Sequence, residues 1–146
     1  MTQLILATHN DHKAQEFRDL LPQYSVQTLA DLGHYDEIEE TATSLEGNSF
    51  IKAETIFKRF GHVVISDDSG LEVDALNGIP GVYSARYAGE PRNDQRNIEK
   101  LIKELQSVFN RKAQFRTVIT LMSAENSFQF EGIVRGTISK SPRGEA

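Results

Sequence analysis

No cysteine occurs among the 146 residues, which excludes disulfides and thiolate metal sites and fits a reducing compartment. No apolar stretch approaches the length of a membrane span, and residues 1–7 carry neither a basic run nor a signal-length apolar segment, so the expectation is a soluble, cytoplasmic protein. An excess of basic charge is missing too. Sixteen Lys and Arg stand against 21 Asp and Glu, a net charge of -5, which argues against a general nucleic-acid surface while leaving room for a small anionic ligand in a local cationic pocket. Repeats and low-complexity tracts are absent, and the four prolines are dispersed rather than gathered in a linker. The length therefore predicts one domain over residues 1–146, enough to bury roughly two-thirds of the unfolded surface.

What is present is an early alternation of strands and helices. Gln3 to Thr8 reads as a buried strand, and Asp11 to Leu21 as a helix with Ala14, Phe17, Leu20 and Leu21 at helical spacing, ended by Pro22. Tyr24 to Leu29 fits a second strand, followed by the acidic loop Asp36 to Glu40. A second helix is predicted from about Ser44 to Phe60, on the stripe Leu45, Ala53, Ile56 and Phe60, with Thr43 and Glu46 as a capping box and Gly61 as its stop. His62 to Ser66 reads as a short central strand, and Gly70 to Arg92 as a loop broken by Gly78, Pro80, Gly81, Gly89 and Pro91. Ile98, Leu101, Ile102 and Leu105 define a third helix, about Asn93 to Val108. After Lys112 the period changes to two. Phe115, Thr117, Ile119 and Leu121 share one face, a polar turn follows at Ser123 to Ser127, and Phe128 to Ile138 returns, which predicts a long hairpin. The fold class is α/β, with a mixed sheet flanked by helices.

Two polar clusters follow apolar strands, where open α/β sheets place their ligands. In Thr8-His9-Asn10-Asp11-His12-Lys13, Asn10 is placed as the helix N-cap and Lys13 in the first turn, where free amides, the helix dipole and an ammonium attract phosphate. Asn is also an ordinary cap and Lys an ordinary surface residue, and the cluster has no glycine, so it is no P-loop. In Asp67-Asp68-Ser69-Gly70 a strictly extended chain would aim the carboxylates at opposite faces; the Ser-Gly turn relaxes this, so that one binds Mg2+ while the other orients or deprotonates water. A solvated turn is the competing reading. Asn48 and Lys52 share a helix face, and Glu39 and Glu40 precede that helix, a placement the helix dipole favours without any ligand. The four histidines show no metal-ligand spacing and read as surface residues, Lys100 and Lys103 as a solvated face, and Phe115, Phe128 and Phe130 as core.

Taken in order, several segments resemble the inosine triphosphate pyrophosphatase family, enzymes that hydrolyse deaminated purine nucleoside triphosphates. They are Leu6-Ala7-Thr8-x-Asn10-x-x-Lys13, Glu39-Glu40-Thr41, Asn48-x-x-x-Lys52-Ala53, Asp67-Asp68-Ser69-Gly70-Leu71-x-Val73, Gly81-Val82-Tyr83-Ser84-Ala85-Arg86-Tyr87-Ala88-Gly89 and Pro142-Arg143-Gly144. The resemblance implies an elongated mixed sheet with helices around a central nucleotide cleft, commonly as a homodimer. It implies that Thr8, Asn10, Lys13, Asn48, Lys52 and Ser69 hold the substrate, that Glu40 and Asp68 bind Mg2+, and that Asp68, with Asp67 and Lys52, serves catalysis. Water would attack the α-phosphorus of ITP, dITP or XTP, giving the monophosphate and pyrophosphate. Two departures stand out. Gly47 occupies the place where the family usually has Glu, and the family's later Phe-Gly-Tyr-Asp-Pro and Ser-His-Arg motifs, which frame the purine, have no counterpart, so the domain is expected to be incomplete on its C-terminal side. The rival readings are a pyrophosphatase for other damaged nucleotides, a nucleotide or polyphosphate binding module without turnover, and a dimerisation domain.

Overall fold

The computed structural model describes residues 2–142, and the Arg143-Gly144 part of the closing motif lies outside them. The element order is β1 (Thr2–Leu6), α1 (Asp11–Leu20), β2 (Tyr24–Thr28), α2 (Leu45–Phe60), β3 (Val64–Val73), β4 (Pro80–Gly81), α3 (Asp94–Glu104), β5 (Lys112–Met122) and β6 (Ser127–Thr137), with single 3-10 turns at Asp74–Leu76 and Ser84–Arg86. The strands form one mixed sheet in the order β2-β1-β3-β5-β6, with β4 paired to β3. β1 is parallel to both β2 and β3, whereas β4 is antiparallel to β3. No helix among the described residues is long and apolar enough to cross a membrane.

The chain divides into two compact units, Met1–Asp68 with Val118–Glu131, and Ser69–Thr117 with Gly132–Ala146. In the first, α1 starts where Asn10 accepts hydrogen bonds from the amides of His12 (2.9 Å) and Lys13 (3.1 Å). Helix α2 is capped by Ser44, one residue later than expected, through the Gly47 amide at 3.0 Å, and ends in the left-handed Gly61. Ala53 and Ile56 of α2 pack on Ile5, Ala7, Val64, Leu29 and Met122. Full burial of a side chain such as Ile56 contributes about 1.5–3 kcal/mol.

Beside this apolar cluster lies a fully buried layer of hydroxyls from three elements, Ser49 (α2), Ser66 (β3) and Thr120 (β5). Its hydrogen bonds run in one direction. The Gln129 amide donates to the Glu46 carbonyl and to Thr120 Oγ1 (3.0 Å), and Ser66 donates to the Ser49 carbonyl (2.5 Å). The protons between these fixed ends are satisfied if Thr120 donates to Ser49 (2.7 Å) and Ser49 to Ser66 (3.3 Å). Every hydroxyl proton is then used, which removes the cost of burying these groups.

In the second unit Val73, Leu101, Leu105 and Ala113 form the core. Helix α3 is shorter than its periodicity predicts; Arg111 binds the carbonyls of Leu105 (2.6 Å), Ile138 and Ser139 just beyond its end. The expected loop after Gly70 is largely ordered. Strand β3 runs on to Val73, β4 follows, and a Cβ at Gly70 would overlap the Gly81 carbonyl, so glycine is what lets the two strands approach. Burial pushes the Tyr87 hydroxyl above its ordinary pKa, and its hydrogen bond to Glu104 and that group's charge add to the shift.

Two expectations about burial need correction. Phe115, Phe128 and Phe130 are 49%, 53% and 56% exposed, while the opposite alternation of β5, Val118, Thr120 and Met122, is buried. His34 is buried, stacked on His9 and edge-on to Phe60, rather than on the surface.

Candidate active site

The site residues of the first unit gather where the sheet changes direction. The connection through α1 carries the chain from β1 to β2, and the connection through α2 brings it back past β1 to β3. This order creates a switch point between β1 and β3, the usual ligand position in such sheets. The β1–β3 register pairs Leu6 with Ile65, and the Ala7 amide closes the ladder on the Ile65 carbonyl at 2.8 Å. Asp67 and Asp68 therefore stand just past the end of β1, level with the Thr8-to-Lys13 loop.

Asp67-Asp68-Ser69-Gly70 lies within β3 and is not a turn after it. Strand alternation accordingly sends the two carboxylates to opposite faces. Asp67 meets α1, its Oδ2 2.6 Å from Lys13 Nζ. Asp68 meets α2, its Oδ1 3.9 Å from Lys52 Nζ, on the same face as Ser66 and Val64. The Lys52 ammonium also lies 3.3 Å from Glu40 Oε1. Glu40 comes from the irregular stretch before α2, so three separate segments place Glu40, Lys52 and Asp68 together.

At the start of α1, Thr8 Oγ1 accepts the Asn10 amide at 3.0 Å, and Asn10 occupies the amides of His12 and Lys13. The anion site expected there thus has fewer open amides than the sequence suggests. What it keeps is the helix dipole and the part-exposed Lys13 ammonium. Asn48 is 2% exposed, its Oδ1 accepting the Ala42 amide at 2.9 Å. Ser69 belongs to the second unit, where its hydroxyl is 2.8 Å from Thr117 Oγ1. Sequence reasoning missed the roles of Ala42 and Gly47: a Cβ at Gly47 would fall 2.5 Å from the Ala42 Cβ, and glycine in a first helical turn was the available signal.

Glu40 and Asp68 are hard oxygen donors that face one cation. No group of three or more His, Asp or Glu able to hold a metal occurs among the described residues. An ion held by these two carboxylates would complete its shell from water and substrate, which is how Mg2+ binds and not how a structural zinc does. The donor set fits Mg2+.

The sequence profile of the Ham1 family matches residues 4–146. The chain belongs to the Ham1 family. Family relatives include the dITP/XTP pyrophosphatase of Bacillus licheniformis, 48% identical over 149 residues, an alignment that covers 99% of this chain and 76% of that protein. The protein of the same name from Flavobacterium psychrophilum is 45% identical, over 97% of this chain and 75% of the relative. Among solved Ham1 structures, the Staphylococcus aureus Ham1 protein superimposes with a TM-score of 0.93 at 40% identity, over 99% of this chain and 76% of that one. The Mycobacterium abscessus nucleoside-triphosphatase, also titled dITP/XTP pyrophosphatase, gives 0.87 at 34%, over 98% and 78%.

Proposed function

We propose that this chain hydrolyses deaminated purine nucleoside triphosphates such as ITP, dITP and XTP to the nucleoside monophosphate and pyrophosphate. The observation that carries the reading is that Glu40 and Asp68 meet at the same Lys52 ammonium at the β1–β3 switch point, in a chain nearly half identical to proteins named dITP/XTP pyrophosphatase. Two carboxylates beside one another supply the hard oxygen donors that suit a divalent ion.

Glu40 and Asp68 are the residues that would hold Mg2+, which when bound neutralises charge on the phosphates. Asp68 orients the attacking water and accepts its proton. As the new bond to the α-phosphorus forms, the bond from that phosphorus to the bridging oxygen of the β-phosphate breaks, and pyrophosphate leaves with the electron pair. Lys13 and the α1 dipole stabilise the phosphate charge, with Thr8 and Asn10 shaping the loop that presents them. Lys52 sits between the carboxylates, and its ammonium stabilises the charge that builds on the leaving pyrophosphate. Asp67 serves through Lys13, which it orients from the other face of β3. The reading also takes the protein as a cytoplasmic homodimer; sedimentation equilibrium tests the dimer. The activity is tested by pyrophosphate release from ITP and XTP in Mg2+, with ATP and GTP as controls. Selective release is expected. A folded protein that releases none overturns the proposal.

A further inference from the structure

We propose that Asn48, with Gly47 beside it, is the positioning residue for Glu40, and that it works by latching the irregular stretch before α2 onto the helix. The proposal rests on the reading of Glu40 as a ligand of the divalent ion. Residues 37–42 have no regular structure, so their backbone groups need partners outside the segment. Two tethers lie on the N-terminal side of Glu40: the Asp36 carbonyl, 3.3 Å from His9 Nε2, and Ile38, packed on the core cluster. On the C-terminal side the tether is the Ala42 amide, which donates to Asn48 Oδ1 at 2.9 Å.

Asn48 is an expensive residue to place where it is. A buried amide side chain is tolerated when it replaces a hydrogen bond that the backbone cannot make for itself, and at 2% exposure Asn48 accepts one from a coil residue. Lys52 stands one helical turn further along the same face. One side chain thereby indexes both members of the Glu40–Lys52 pair, Glu40 through Ala42 and Lys52 through α2. Gly47 completes the latch sterically, because a Cβ there would stand 2.5 Å from the Ala42 Cβ and 3.1 Å from Ser44 Oγ. The glycine at position 47 and the burial of Asn48 thus have one cause, the close seat of the Glu40-bearing segment on α2.

The test uses three variants of the whole chain without nucleotide, with Mn2+ as the probe followed by electron paramagnetic resonance, together with Ala42 amide exchange and the unfolding midpoint. Asn48→Leu removes the acceptor at similar volume, Asn48→Asp keeps it, and Gly47→Ala displaces Ala42 while improving helix propensity. Asn48→Leu and Gly47→Ala are expected to weaken Mn2+ binding about tenfold or more and to speed Ala42 exchange. Asn48→Asp should retain the Ala42 protection. Because both substitutions raise helix propensity, a loss of Mn2+ binding shared by the two while the unfolding midpoint holds separates positioning from general destabilisation; should Asn48→Leu fail to fold, Gly47→Ala decides. Mn2+ affinity unchanged in Gly47→Ala, with Ala42 exchange accelerated, overturns the latch. A parent chain that binds no Mn2+ overturns the reading of Glu40 on which it rests.

Discussion

The two faces of β3 handle charge differently. On the α1 face, Asp67 and Lys13 form a one-to-one pair at 2.6 Å with the carboxylate almost wholly buried. On the α2 face, one ammonium is shared by Glu40 at 3.3 Å and Asp68 at 3.9 Å, so the contacts are longer. In the first arrangement each charge has its counter-charge, and removing Lys13 leaves the buried Asp67 carboxylate stranded. The second joins groups from three segments, and it is the seat we propose for the divalent ion. Adjacent residues of one strand thus meet lysines from two different helices.

The largest expected effect breaks the α2 side. Asp68→Asn should lower kcat for ITP by about a hundredfold or more, with an unchanged circular dichroism spectrum, because it removes the proton acceptor. The sharpest contrast comes from the two lysines. Lys13→Met should cost about 3 kcal/mol in urea unfolding by stranding buried Asp67, and added Mg2+ should not restore it. Lys52→Met should cost about 2 kcal/mol at low divalent ion and regain most of it in millimolar Mg2+, since an ion bound only by the native state stabilises it. Equal rescue of both variants would erase the distinction. Thr120→Val should cost about 1–2 kcal/mol, because Gln129 and Ser49 lose their shared partner in the hydroxyl layer. The smallest effect lies in the second unit. Tyr87→Phe should cost about 1 kcal/mol at neutral pH. Since the folded Tyr87 pKa is raised, its contribution is complete below the unfolded value of about 10 and is lost as pH rises beyond it; the variant should lack that part of the alkaline decline in stability.

Periodicity made most of the first unit legible. The stripe of α2, its Gly61 stop and the Asn10 cap of α1 are local signals, and each stands where the pattern put it. The extent of β3 was not legible, because Asp-Asp-Ser-Gly has turn composition. What keeps it extended is tertiary: Lys13 and Lys52 arrive from two helices to compensate the carboxylates. Alternation in β5 correctly implied two faces but not which one is covered, and the hydroxyl layer drew Thr120 inward while Phe115 stayed exposed. The residues of the Glu40–Lys52–Asp68 cluster were readable from the family resemblance. The latch from Asn48 to Ala42 was not, since nothing in sequence pairs a helix residue with a coil amide six positions earlier.

Hydrolysis of ITP in 18O-labelled water, with Mg2+ present, tests the central claim most directly. Attack at the α-phosphorus predicts label in the nucleoside monophosphate and none in pyrophosphate, with the rate lost in Asp68→Asn. Label in pyrophosphate, or in free phosphate, would contradict the account.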